Sequence, residues 1–251
     1  MDESKRQRFD RQILFSGIGE EGQEKLLASK VVQVGCGGLG STLAQCMGRA
    51  GIGKLTIVDK DHAEVTNLHR QFLFDMEDAE SGVNKALAAK KILEKVDPDL
   101  EVAAIPEMLT EENADELLGG HDLVLDGLDN MDTRYLINDW CLKNGVPWIY
   151  GGVVAGCGMV LTILPGEGPC LKCLFPDPEA CDYAPTIPTA GIINTLPAHI
   201  ATIQATEAQK LLIGSPDLVL DLRIVDLWAG SVQRMPLKKS PSCPACKGCA
   251  Q

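Results

Sequence analysis

The run VVQVGCGGLGST (31–42) places glycines at Gly35, Gly37, Gly38 and Gly40 directly after an apolar stretch. In a G-x-G-x-x-G pattern between a strand and a helix, glycines let the backbone approach a phosphate, and the first helical N–H groups supply partial positive charge. Asp59 follows roughly 20 residues on, where an acidic side chain can bind a ribose hydroxyl. A redox dinucleotide and ATP fit this loop equally; a tight helix–strand turn with no ligand is the lesser reading. A second glycine segment, GRAGIGKL (48–55), comes near the P-loop spacing. There, however, Leu55 stands where a Ser or Thr would hold magnesium, and the segment precedes a strand instead of following one. It reads as a helix stop and a turn.

The segment DKDHAEVTNLHRQFLF (59–74) discriminates between the ligands. It gathers Asp59, Asp61, Asn67, Arg70 and Gln71 close to the loop, and Lys85 follows near the start of the next helix. Two cations and polar amides suit a triphosphate, whose charge a nicotinamide cofactor lacks. In DGLDNMDTR (126–134), Asp126 and Asp129 fall on the ligand side of a strand end, where an acidic oxygen could hold Mg²⁺ against phosphate. Asn130 and Asp132 could instead cap the next helix. The N-terminal RFDRQ (8–12) adds Arg8 and Arg11, which spacing does not place.

Four of the ten cysteines form two C-x-x-C pairs, Cys170/Cys173 and Cys243/Cys246, far apart in sequence. Each pair offers two thiolates at the spacing that chelates one ion, and four thiolates close a tetrahedral site with no position left for water. That describes a structural zinc, which would pin a C-terminal tail onto the domain. A redox pair or an iron–sulfur cluster is the competing reading; neither pair is expected to open a helix after a strand, as a thioredoxin-like motif would. The other six cysteines (Cys36, Cys46, Cys141, Cys157, Cys181, Cys249) are scattered, and Cys249 lies close enough in sequence to substitute as a ligand.

These groups need a frame, and the pattern supplies one. The segment up to Lys30 reads as helical; then strands at 31–35, 54–59, 101–106, 121–127 and 147–153 alternate with helices at 41–51, 84–96, 110–118 (capped by Thr110) and 131–145. That alternation implies a doubly wound, mostly parallel α/β sheet whose ligands bind outside the strand C-termini. After about residue 155 come strands at 158–165 and 217–226, a Pro-rich loop (174–189) and a long helix at 196–212 with Pro197 in its first turn. The expectation is one domain over residues 1–251, with a Rossmann-like nucleotide-binding half (about 30–155) and a second half (about 156–251) ending in the zinc-pinned extension.

Hydrophobic residues at 45% and charged residues at 23% are the balance of an ordinary globular chain. A net charge of −12 argues against broad contact with nucleic-acid backbones, which need a basic stripe. The charged N-terminus lacks the apolar core of a secretory signal, and no apolar run is long enough to cross a bilayer, so a cytoplasmic location is expected.

Taken together, the glycine loop, the DxD…NLxRQ segment, the LDN after the fourth strand and the paired C-x-x-C motifs resemble the ThiF/MoeB/HesA family, bacterial relatives of the ubiquitin-activating enzymes. The resemblance runs from RFDRQILFSG to SCPACKGC. It implies MgATP-dependent adenylation of the C-terminal glycine carboxylate of a small β-grasp, ubiquitin-like sulfur carrier ending in Gly-Gly, which leads to a thiocarboxylate for thiamin, molybdopterin or related biosynthesis. By motif, Gly35, Gly37 and Gly40 would line the ATP loop and Asp59 would bind ribose. Asn67, Arg70 and Lys85 would contact phosphates, and Asp129 would hold magnesium. Arg11 would reach the neighbouring subunit's phosphates, which implies a homodimer; Cys170, Cys173, Cys243 and Cys246 match the family's zinc ligands. Residues 156–251 would then bind the carrier. One departure stands out: Ile187 occupies the position where many relatives carry a crossover-loop cysteine that links covalently to the carrier. Cys181, six residues earlier, is a possible substitute, and sulfide or a separate sulfurtransferase could supply the sulfur. Adenylation of a small-molecule carboxylate and a non-catalytic partner-binding role are the alternatives.

Overall fold

A computed structural model describes residues 1–176 and 187–246. Eight strands form one sheet: β1 (Lys30–Val34), β2 (Lys54–Val58), β3 (Glu101–Ile105), β4 (Leu123–Asp126), β5 (Trp148–Val154), β6 (Cys157–Ile163), β7 (Leu222–Asp226) and β8 (Ser231–Met235), in the order β3-β2-β1-β4-β5-β6-β7-β8. The pairings from β3 through β5 are parallel and those from β5 through β8 antiparallel. The central strands are runs of Val, Ile and Leu buried on both faces, as parallel strands between two helical layers must be.

The helices are α1 (Glu3–Arg8), α2 (Asp10–Ile13), α3 (Gly19–Ala28), α4 (Gly38–Ala50), α5 (Met76–Ser81), α6 (Lys85–Val96), α7 (Ala114–Leu118), α8 (Met131–Asn144), α9 (Leu171–Leu174), α10 (Ile187–Ala190) and α11 (Thr195–Ile213). Leu26 of α3, Leu43 and Met47 of α4, Leu93 of α6 and Ile200 of α11 share one core with Val31, Leu55 and Leu125. On the opposite face, Leu117 and Leu118 of α7, Ile137 and Cys141 of α8 and Leu171 of α9 pack with Val32, Val124 and Trp148. The doubly wound expectation therefore holds, on a sheet whose antiparallel part continues without a break from the parallel part.

Several boundaries differ from the sequence reading. The N-terminal segment is three short helices, and α4 begins at Gly38, so half the glycine loop belongs to the helix's first turn. Residues 110–113 are not helical: α7 starts at Ala114, and the Thr110 N–H donates to the Asn113 side chain, so Thr110 is not the cap. Of 217–226 only Leu222–Asp226 is strand, because the preceding turn is held by the Glu207 carboxylate, which accepts the Val219 N–H. The edge strand β8 was not anticipated; exposed on four of its five residues, it has no apolar run to announce it. Gly51 ends α4 in the left-handed region (φ 82°), so GRAGIGKL is the helix stop and turn that its order implied.

Candidate functional site

The C-terminal ends of β1, β2, β3 and β4 surround a cavity of about 1210 Å³. Its floor is the glycine loop. Gly35 has φ 92°, and a Cβ there would lie 2.6 Å from the Gly127 carbonyl oxygen; a Cβ on Gly40 would lie 2.1 Å from that of Gly35. Only hydrogen fits at either place, so β1 can turn sharply into α4 and leave the helix's first N–H groups at the cavity.

Asp59 follows β2, nearly buried. Its carboxylate accepts the Cys36 N–H at 2.5 Å and the Asp61 N–H at 2.7 Å. Burial raises its pKa above the usual aspartate value, against the pull of these two N–H bonds and of Lys85. Asn84, the N-cap of α6, fixes this corner: its side-chain N–H groups donate to the Asp59 and Asp61 carbonyls, and its oxygen accepts from Ala86 and Leu87. Lys85 comes next, buried, with Nζ 3.6 Å from Asp61 Oδ2. Between these elements the turn at 64–71 carries Asn67, whose Oδ1 accepts from Arg70 Nη2 at 3.0 Å and Gln71 Nε2 at 3.2 Å. Gly35, Gly37, Gly38, Asp59, Asp61, Asn67, Arg70, Gln71, Lys85, Asp129 and Asn130 all line the one cavity; Gly40 supports its floor.

Two acidic residues expected to face the ligand together are separated. Asp126 is fully buried and belongs to Arg134, whose Nε donates to it at 2.9 Å while Nη2 donates to the Leu128 and Gly151 carbonyls. With its oxygens also accepting the Leu128 and Gly151 N–H groups, Asp126 is a structural anchor and not a metal ligand. Asp129, three residues on, is exposed on the cavity wall, and its hard oxygens are the donor type Mg²⁺ takes. Asn130 caps α8 by accepting the Thr133 N–H, as its type allowed; Asp132 also lines the cavity. Arg11 is not part of the wall. Its side chain is 90% exposed, and its ion pair is with the adjacent Asp10. Sequence reasoning missed the loop after β3, Glu107 to Glu111, and the ion pair Lys172–Asp139, which complete the cavity; a loop following a parallel strand's C-terminal end was the available signal.

The two C-x-x-C pairs meet. Sγ separations are 4.0 Å for Cys170–Cys173, 3.6 Å for Cys170–Cys243 and 3.4 Å for Cys173–Cys246, and all four sulfurs lie within 4.8 Å of one another. Four thiolates at about 2.3 Å from one ion would stand about 3.8 Å apart, so the cluster has the dimensions of a tetrahedral metal site. Cys170 does cap a one-turn helix, α9, contrary to the sequence reading. The convergence of both pairs nonetheless sets the arrangement apart from a lone redox dithiol. Cys181 and Cys249 lie outside the described residues.

A glycine loop opening a helix, an acid at the next strand end, Arg70 on the adjoining turn and Lys85 at the start of α6 are the arrangement of the Rossmann-like class of fold. The chain belongs to the ThiF family, which matches residues 9–245. It is 40% identical over 245 residues to the sulfur carrier protein adenylyltransferase of Thermus thermophilus, with 95% of this chain and 90% of that protein covered. It is 36% identical over 248 residues to the SAMP-activating enzyme E1 of Haloferax volcanii (98% and 90% covered) and 35% identical over 242 residues to the sulfur carrier protein ThiS adenylyltransferase of Escherichia coli (96% and 95%). The crystal structure of E. coli MccB with ATP superposes with a TM-score of 0.78 at 23% identity, covering 90% of this chain and 69% of that one, a likeness of fold.

Proposed function

We propose that this protein is an adenylyltransferase that uses MgATP to activate the C-terminal glycine carboxylate of a small β-grasp sulfur carrier, preparing it for thiocarboxylate formation in the biosynthesis of a sulfur-containing cofactor such as thiamin or molybdopterin. The observation that carries the reading is the single cavity in which the glycine loop, Asp59, the Asn67–Arg70–Gln71 turn, Lys85 and Asp129 converge. Its support from relatives is the 40% identity to an enzyme named for this activity.

A carboxylate is a weak nucleophile, so the chemistry reduces to alignment and charge. One carrier oxygen bonds to the α-phosphorus, the bond to the bridging oxygen breaks, and pyrophosphate departs with that electron pair. The loop N–H groups hold the phosphates. Asp59 accepts from ribose hydroxyls, and Lys85 and Arg70 neutralise the charge that builds on the leaving group. Asp129 would hold Mg²⁺, which supplies further charge neutralisation when bound. No side-chain base is required. We place a structural zinc on Cys170, Cys173, Cys243 and Cys246, carrier binding on the half of the chain from about residue 156, and Arg11 of one subunit in the cavity of the other within a homodimer. Among the described residues no helix is long and apolar enough to cross a membrane, and we assign the enzyme to the cytoplasm. With Ile187 at the family's cysteine position, sulfur is assigned to sulfide or a separate sulfurtransferase.

The test is ATP–pyrophosphate exchange with purified protein, Mg²⁺ and β-grasp carriers ending in Gly-Gly. Exchange that depends on a carrier and disappears when its last glycine is removed is the expected result. ATP binding with no exchange for any carrier, or exchange with a small carboxylate alone, would overturn the carrier assignment.

A further inference from the structure

Strand β1 reads Lys-Val-Val-Gln-Val, and its Gln33 is a fully buried amide in an otherwise apolar wall. Its Nε2 lies 2.9 Å from the Gly35 carbonyl oxygen and 2.9 Å from the Gly40 carbonyl oxygen, so both side-chain N–H groups donate into the glycine loop. Two carbonyls facing one nitrogen fix which end of the amide is the NH₂. The other end, Oε1, is buried without a hydrogen-bond partner among the described residues. An aliphatic side chain would fill the same place and leave no orphaned oxygen, so the amide is retained at a cost to the fold. What it holds is the peptide between Gly35 and Cys36. The carbonyl of that peptide accepts from Gln33 and its N–H donates to Asp59, one on each side. Gly35, at φ 92°, is the kind of residue about which a peptide plane turns easily, and a turned plane would point a carbonyl oxygen where the loop must receive phosphate.

We propose that Gln33 is a positioning residue for the nucleotide phosphates: its amide, opposite Asp59, locks the Gly35–Cys36 peptide and the first turn of α4 so that the loop presents N–H groups to the phosphates. This rests on the reading of the cavity as an ATP site. Gln33 acts through the backbone and touches no substrate atom. Its effect therefore falls on ligands that carry phosphate and spares those that bind through the base and ribose.

The test compares the full-length wild type with Gln33→Met, which keeps the length and approximate volume and removes both donors. Binding of MgATP and of adenosine is measured by titration calorimetry, with thermal melting as the check on folding. MgATP affinity should fall about ten-fold or more, as losing two held donors implies, while adenosine affinity stays within about two-fold. Equal losses for both ligands, or none for MgATP, would overturn the role of Gln33. Wild-type protein that binds no MgATP would overturn the ATP reading beneath it. Should the variant fail to fold, wild-type NMR decides: the Gln33 side-chain NH₂ signals should be protected from exchange and shift with MgATP but not adenosine. Signals that exchange freely, or shift alike with both, count against the proposal.

Discussion

Replacing Arg134 with methionine removes the guanidinium from the most deeply buried ion pair of the sheet and keeps much of the stem's volume. In the wild type Arg134 Nε donates to Asp126 at 2.9 Å, Nη2 donates to the Leu128 and Gly151 carbonyls, and the guanidinium lies 5.1 Å from the centre of the Tyr150 ring. Asp126 has no access to water to compensate. Orphaning one partner of such a pair costs about 3–5 kcal/mol. For a chain of this size roughly 2–4 °C of melting temperature accompanies each kcal/mol, so the variant should melt roughly 6–20 °C lower by calorimetry. The loss should also depend on pH. Burial is the largest influence on the Asp126 carboxyl and raises its pKa, and Arg134 is the first force opposing it; without the arginine the folded-state pKa rises well above the unfolded aspartate value of about 3.9. A raised pKa contributes stability that is complete below the unfolded value and disappears as pH climbs through the folded one. The deficit relative to wild type should therefore be smallest in acid and grow toward neutrality. Adding Asp126→Asn to the variant removes the buried charge and should restore part of the loss. A deficit under about 1 kcal/mol, one that shrinks as pH rises, or a double variant no more stable than the single would refute the reasoning.

Elemental analysis of purified protein should find one zinc per chain, and Cys243→Ser should both lower that content and lower the melting temperature; a variant that melts unchanged would remove the structural role assigned to the cluster. The subunit arrangement can be tested by complementation. Arg11→Ala and Asp129→Ala proteins, each inactive alone in pyrophosphate exchange, should recover about a quarter of wild-type activity when randomly mixed, since half the dimers are mixed and each rebuilds one intact site. No recovery would place Arg11 outside the partner's site.

Much of this was legible because local rules and global fold agree. The β1–α4 glycine pattern marks its own geometry, since Gly35 and Gly40 sit where any Cβ would meet a carbonyl. Asn130 and the helix stop at Gly51 follow from capping chemistry alone. Asp126 was misplaced for a physical reason: a strand-end carboxylate looks the same in sequence whether it faces ligand or a buried arginine eight residues on. The start of α7 was set too early because Thr110 is a good cap by type, whereas the Asn113 side chain takes the Thr110 N–H and holds the preceding turn in a different shape. Meeting of the C-x-x-C pairs over 73 residues could be expected from ligand chemistry, but the contribution of Lys172 to the cavity could not. Its place depends on the cluster holding α9 against α8, where the Leu171 N–H donates to the buried Asn138 side chain.

Several of the costly groups of this fold lie beneath the cavity, although others, such as the buried Glu207 with Arg223 and the unpaired Trp148 Nε1, lie elsewhere. Gln33 with its orphaned oxygen lies at the end of β1, Asp59 follows β2, and Asp126 closes β4 with Arg134 beside it. Gln204 of α11 donates to the Asp126 carbonyl at the end of β4 and the Ile149 carbonyl near the start of β5, and its own oxygen has no partner among the described residues. A sheet built for stability alone would bury aliphatic side chains at these places, as it does along Val31, Val32, Leu55 and Ile57. Gln33 and Asp59 hold the glycine loop, Asp126 and Arg134 hold the turn to Asp129, and Gln204 ties the end of β4 to the start of β5 beneath them. Loops left to themselves would sample many shapes, and a site that works by alignment and charge loses rate when its donors wander by an ångström. The buried polar layer beneath the cavity is thus the physical link between this sequence and catalysis by positioning. Within that layer Gln33 is the residue whose replacement should change phosphate binding before it changes the fold, whereas Arg134 holds the fold itself.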